Sequence, residues 1–203
     1  MSNTPDTPPT GRTGATVFKR AAFRCLARLL CAGVLFAGLT VSRAQDAVSK
    51  EYKIKAAYLY NFAKFVDWPG QCFTNTGAPL VVGIFGQNPF GDELEAIAKD
   101  HKINGRDIVI KPVTTAAEAA GVQMLFFAAA EDGRIAEILA ALKTSPVLTV
   151  GESEKFAAAG GEIHFVREAD KVRFEINAAA AEQHGLKISA QLLKLARNIR
   201  TGE

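Results

Sequence analysis

The chain has 203 residues, with 24 Lys and Arg against 21 Asp and Glu, a formal charge of +3 and 48% hydrophobic residues. Six of the basic residues and one acidic residue lie within residues 1–44. The remainder is therefore net acidic and offers no broad basic field for nucleic acid. Two of the three cysteines, Cys25 and Cys31, fall in the same leader and leave Cys72 alone, which excludes an internal disulfide and a cysteine metal site in the rest of the chain.

Residues 1–44 read as a secretory signal peptide. Arg12, Lys19, Arg20, Arg24 and Arg28 precede the short apolar run Leu29–Val41, and Ser42-Arg43-Ala44 supplies small residues for cleavage. About a dozen apolar residues suit a signal h-region and are too few for a membrane span. Arg28, Leu29 and Leu30 before Cys31 do not form a lipoprotein acceptor. The expected mature chain starts near Gln45, is periplasmic, and forms a single domain over 45–203, enough for a core of its own.

The first mature stretch, Lys50–Pro69, has helical periodicity. Ile54, Ala57, Tyr58, Asn61, Phe62, Phe65 and Val66 are placed on one face. Pro69 restricts Trp68, so the helix is expected to end near Asp67. Asn61 interrupts the stripe and needs a hydrogen-bond partner if buried. The aromatic content suggests that part of this helix faces a partner, while an aromatic stripe of this kind also serves a core.

Continuous apolar runs at Leu80–Phe85 and Met124–Ala128 read as strands covered on both faces, with Asp107–Lys111 and Pro146–Val150 as further strands. Helical segments are expected at Asp92–Lys99, Thr115–Ala120 and Glu131–Leu142, and at Glu154–Ala159 behind a Ser153 cap. Glu162–Val166 and Lys171–Ile176 alternate as a hairpin with one apolar face. A short helical piece follows at Ala178–Gln183. A last helix, capped by Ser189, takes Leu192, Leu195, Ala196 and Ile199 as its stripe. Strands alternating with helices predict an α/β fold with a mostly parallel, Rossmann-like sheet, helices on both faces and the hairpin at one edge.

No motif carries a reaction. Gly83, Gly86 and Gly91 flank a strand-to-helix turn, but their spacing is not the dinucleotide fingerprint, and Pro89 removes a donor. Gly151-Glu152-Ser153-Glu154-Lys155 lacks the second glycine of a nucleophile elbow. His101, His164 and His184 show no ligand spacing. No catalytic residue, metal or cofactor is expected. The polar hairpin face, with Glu162, His164, Arg173, Glu175 and Asn177, reads either as a groove or as a solvated surface.

The segments KAAYLYNFAKFVDWP (55–69), VVGIFGQNPFGDEL (81–94), INGRDIVIKPV (103–113), PVLTVGESEKFAAAGGEIHFV (146–166), KVRFEIN (171–177) and GLKISAQLLKLARNI (185–199) together resemble the YfiR-like periplasmic proteins. The resemblance covers nearly all of the mature chain. It implies a non-enzymatic regulator that represses the periplasmic sensor part of a membrane-bound diguanylate cyclase and is itself sequestered by an outer-membrane lipoprotein. The wider family also implies other signalling partners, such as a histidine kinase. Relatives of this kind carry a cysteine pair where Gly83 and Val122 stand here, so a redox-sensitive disulfide is not available at those places.

The expected activity is binding to an inner-membrane signalling protein through Tyr58, Tyr60, Phe65, Trp68, Leu192 and Leu193, with a homodimer also open. The alternative is a small-molecule sensor with a groove at the carboxyl ends of the strands and along the hairpin, lined by Asn88, Phe90, Glu152, Ser153, Arg173 and Glu175. A Ser153 hydrolase is the third reading.

Overall fold

The structure, a computed structural model, describes residues 50–202. The expected leader and its cleavage site lie outside the described residues. No helix among the described residues is long and apolar enough to cross a membrane.

The first helix, α1, occupies 50–65. It gives way to strand β1 (Val66–Asp67), two residues earlier than Pro69 alone requires. The reason is long-range. β1 pairs antiparallel with β8 (Lys187–Ile188), and the Phe65 carbonyl accepts the Ser189 amide at 2.9 Å. The buried face of α1 is rotated from the expected stripe. It consists of Lys55, Ala56, Leu59, Phe62, Ala63 and Val66, while Ile54 and Ala57 are exposed. Asn61 finds its partner in its own helix, donating from Nδ2 to the Ala57 carbonyl at 2.9 Å.

The main sheet has seven strands in the order β3-β2-β4-β5-β6-β7-β9. β2 (Leu80–Phe85) lies between β3 (Ile108–Val113) and β4 (Met124–Phe127), and β5 (Leu148–Gly151) joins β4 to β6 (Ile163–Glu168), all parallel. β4 is buried on both faces as its unbroken apolar sequence requires. Met124 and Phe126 belong to one core, Leu125 and Phe127 to the other. Pro112 cannot donate to a ladder, and its strand lies at the sheet edge where that costs least.

α1 and α2 (Glu93–Asp100) cover the first face, meeting Val82, Ile84, Phe126, Val150 and the hairpin. α3 (Ala116–Ala119), α4 (Ile135–Ala141) and α5 (Glu154–Ala158) cover the second. Thr115 and Glu118 form a reciprocal capping box at α3, and Ser153 Oγ caps α5 by accepting the Phe156 amide at 3.2 Å. The Phe156 ring is fully buried between Gly151 and Gly161, where a Cβ on either residue would collide with it.

β7 (Lys171–Asn177) forms the expected antiparallel hairpin with β6, setting Ile163 opposite Ile176 and Phe165 opposite Phe174. The hairpin is not the sheet edge. After α6 (Ala178–Gln183), β8 and α7 (Ala190–Leu193), the chain leaves helical geometry and adds β9 (Asn198–Arg200) parallel to β7. The expected last helix thus stops at Leu193. The Arg197 amide donates to the Phe174 carbonyl at 2.8 Å and draws the segment onto the sheet. Leu195 and Ile199, expected inside, are 61% and 39% exposed.

Candidate functional site

In open α/β sheets the crevice beyond the carboxyl ends of the strands is the usual binding site. Here the first turns of α1 cross it. Glu152 follows β5 directly, and its carboxylate is already engaged. Lys55 Nζ lies 2.5 Å from Oε2, and Oε1 accepts the Tyr52 hydroxyl at 3.0 Å and the Ala129 amide at 3.3 Å. Lys55 and Glu152 each expose only 7% of their side chains, and Lys55 also reaches Glu51 at 2.6 Å. Burial, followed by the charge of Glu152, raises the Tyr52 phenol above its ordinary range. It therefore acts as a neutral donor to the carboxylate.

The residues expected to line a groove at these strand ends have local partners. Phe90 is 3% exposed and packs edge-on between Tyr52, at 5.6 Å, and Phe126, at 4.8 Å. Asn88 is exposed and closes its own turn, Oδ1 accepting the Phe90 amide at 2.9 Å. Ser153 caps α5.

Arg173 and Glu175 lie on the outward face of the hairpin. Glu175 stands opposite His164 and lines a cleft of about 450 Å³ with Glu154, Arg197 and Arg200. Arg197 Nη1 is 3.7 Å from Glu175, whereas Arg173 lies 3.9 Å from Glu168 instead. His164 is 3% exposed and its Nδ1 has no hydrogen-bond partner among the described residues. Burial lowers its pKa against the opposing pull of Glu154 and Glu175. Of the six residues expected to form a groove, Glu175 is the one that lines this cleft.

The residues expected to meet a partner divide by burial. Tyr58 is half-buried against Phe62, Phe165 and Phe174. Tyr60 meets the His101 ring at 5.0 Å and a tilt of 54°, and Phe65 lies under Lys64 Nζ at 5.6 Å. Trp68 donates from Nε1 to the Gln123 carbonyl at 2.9 Å, holding the turn after α1 to the amino end of β4. Leu193 is half-buried. Leu192, at 1% exposure, belongs to the core and anchors α7.

Two buried polar pairs have no sequence signal. Lys55 and Glu152 are 97 positions apart. Glu162 sits on the polar side of a strand pattern, yet its side chain is fully buried and holds His184 Nδ1 at 2.7 Å. The thiol of half-buried Cys72 is free, and burial raises its pKa. Gly83 and Val122 are neighbours: a Cβ on Gly83 would stand 3.3 Å from Val122 Cγ1.

The sequence model of the YfiR/HmsC-like proteins matches residues 52–197. A comparison with curated proteins gives no match. Two solved structures align at 14% identity. One is a conserved domain protein from Vibrio cholerae O1 biovar eltor, with a TM-score of 0.45, covering 60% of this chain and 55% of that one. The other is the ABC domain in complex with L-Trp from Streptococcus pneumonia, with a TM-score of 0.43, covering 59% and 54%. The chain thus spans little more than half the length of either.

Proposed function

Since the chain belongs to the YfiR/HmsC-like family, we propose that it is a periplasmic regulator that docks on the periplasmic sensor part of a membrane-bound diguanylate cyclase and represses it, without catalysing a reaction. The observation that carries this reading is the family match over 52–197, which takes in both cores and six strands of the seven-strand sheet and ends just before β9. The basic, apolar and small-residue order of residues 1–44 supports export to the periplasm and a mature domain beginning near Gln45. An outer-membrane lipoprotein that sequesters the regulator is the second partner.

The half-exposed aromatics of α1 and its following turn, Tyr58, Tyr60, Phe65 and Trp68, are the proposed contact groups, joined by Leu193 and the exposed Leu195 and Ile199. Aromatic and aliphatic anchors of this kind concentrate interface energy. Leu192 contributes by fixing α7. Deleting the gene in its native host should raise cyclic di-GMP. The wild-type gene should restore the level, while a Leu195→Asp, Ile199→Asp variant should not, although the protein accumulates normally. An unchanged cyclic di-GMP level in the deletion strain refutes the proposal.

A further inference from the structure

A cleft of about 420 Å³ lies between α4 and α6, and Thr149, near the start of β5, lines it. That volume is within the range of small-molecule sites. Its walls combine apolar side chains, among them Leu139, Ala140 and Ala180, with the uncharged polar groups of Thr149, Asn177 and Gln183, and its rim carries Lys143. Among the described residues, no acidic side chain lines it.

Two of the lining residues, Thr149 and His184, are held from behind by a buried carboxylate. Glu162, whose side chain is fully buried, accepts the Thr149 hydroxyl at 2.6 Å and the Thr149 amide on Oε2, and meets His184 Nδ1 at 2.7 Å through Oε1. A carboxylate this deep is tolerated because each oxygen has a donor. It also fixes the imidazole. With Nδ1–H committed to Glu162, Nε2 is the open ring nitrogen, and it makes no hydrogen bond among the described residues. His184 lines the cleft and follows the last turn of α6. The hydrogen bond to Glu162 favours its protonated form. Among the described residues, the ionisable groups that line the space are thus His184 and Lys143, beside the apolar side chains of Leu139, Ala140 and Ala180.

We infer that this cleft binds a small organic carboxylate, with the charged end on His184 Nε2 and Lys143 Nζ and the apolar body against Leu139, Ala140 and Ala180. The inference is independent of the docking proposal, since it involves none of the residues assigned to the partner surface.

Titration of the purified protein with hexanoate and with benzoate, followed by NMR of the His184 ring, tests it. At least one acid should shift the ring resonances saturably, and the matching amide, hexanamide or benzamide, should bind about tenfold more weakly because it forgoes the charge-assisted bond. Ala180→Trp fills the cleft and leaves Glu162 and His184 in place, so it should abolish the response while thermal unfolding stays cooperative. Ala140→Trp does the same from the opposite wall. A purely structural role for His184, joining α6 to the sheet, predicts no response to either acid. Silence toward both acids, amides that bind as well as acids, or a response that survives both tryptophan variants would overturn the assignment.

Discussion

Replacing Lys55 by Met should be among the most damaging single changes on α1. The substitution keeps the length of the side chain and removes the cation that sits 2.5 Å from Glu152, with both side chains 7% exposed. The Tyr52 hydroxyl and the Ala129 amide remain as donors, but neither neutralises the buried carboxylate. Breaking such a pair from one side costs about 3–5 kcal/mol. For a domain of this size that corresponds to a fall of roughly 6–20 °C in Tm. The control is Lys53→Met. Its partner Glu93 is 2.7 Å away, but the pair exposes 56% and 42% of its side chains, so its loss should cost about 1 kcal/mol or less. The double variant Lys55→Met, Glu152→Leu removes both charges and should recover most of the lost stability, since apolar replacement of a buried pair is often neutral or better. Urea unfolding followed by circular dichroism gives the three free energies. Hydrogen exchange should show residues 51–59 opening first in Lys55→Met. If Lys55→Met is no more damaging than Lys53→Met, or if the double variant is as unstable as the single, α1 is not fastened to the strand ends by this pair.

Other consequences are equally direct. Buried His164 and half-buried His184 should give stability opposite slopes with pH. The hydrogen bond to Glu162 raises the pKa of folded His184, so its contribution is complete below the ordinary value of 6.5 and is lost as pH rises through the folded value. Burial lowers that of His164, so its contribution is complete above 6.5 and is lost as pH falls through the folded value. Chemical unfolding from pH 5 to 9 should show both limbs, with His184→Gln flattening the alkaline one and His164→Asn the acid one. Ala169 and Asp170 turn the β6–β7 hairpin with φ of 44° and 62°. An Asn-Gly pair there should therefore raise stability by about 1 kcal/mol, readable as an increased Tm. Gly161→Ala should cost about 1–3 kcal/mol through overpacking against the Phe156 ring. Adding Phe156→Leu should recover part of that loss; a Gly161→Ala protein as stable as wild type would show that the ring is not confined.

The sheet was legible because its central strands are written as unbroken apolar runs, which only a strand buried on both faces tolerates. Leu80–Phe85 and Met124–Phe127 are such runs. The caps at Ser153 and Ser189 were legible for a local reason: a hydroxyl three residues before an amide can satisfy it. The errors share a non-local cause. Periodicity placed Ile54 and Ala57 inside and could not place Lys55 there, because the partner that makes a buried lysine tolerable lies 97 residues away. The spacing of Leu192, Leu195, Ala196 and Ile199 fits a helix, yet β7 offered an unpaired edge, and the segment took it. The cleft at His184 was hidden for the same reason, since Glu162 reads as an outward strand position until α6 closes over it.

Where this fold can bind anything follows from what α1 covers. At the strand ends, Tyr52 and Lys55 spend their polar groups on Glu152, and Phe90 joins Tyr52 to the core, so the usual crevice is filled by the chain itself. Two kinds of surface remain. One consists of exposed and half-exposed apolar side chains, the outer aromatics of α1 and its following turn together with Leu195 and Ile199, which suit a protein partner better than a small molecule. The other is concave, on the face of the sheet turned away from α1, where short helices leave gaps around His164 and His184. A regulator needs a surface that meets its target and benefits from a second site that senses something else. A ligand that binds both a docking-competent and a docking-incompetent form equally shifts nothing. If the carboxylate cleft regulates docking, its occupancy must therefore alter α6, which leads through β8 to the β1 pairing at the end of α1. Cyclase capture measured with and without benzoate should then differ in wild type and be indifferent to benzoate in Ala180→Trp. Equal benzoate sensitivity in both proteins would separate the cleft from the docking surface.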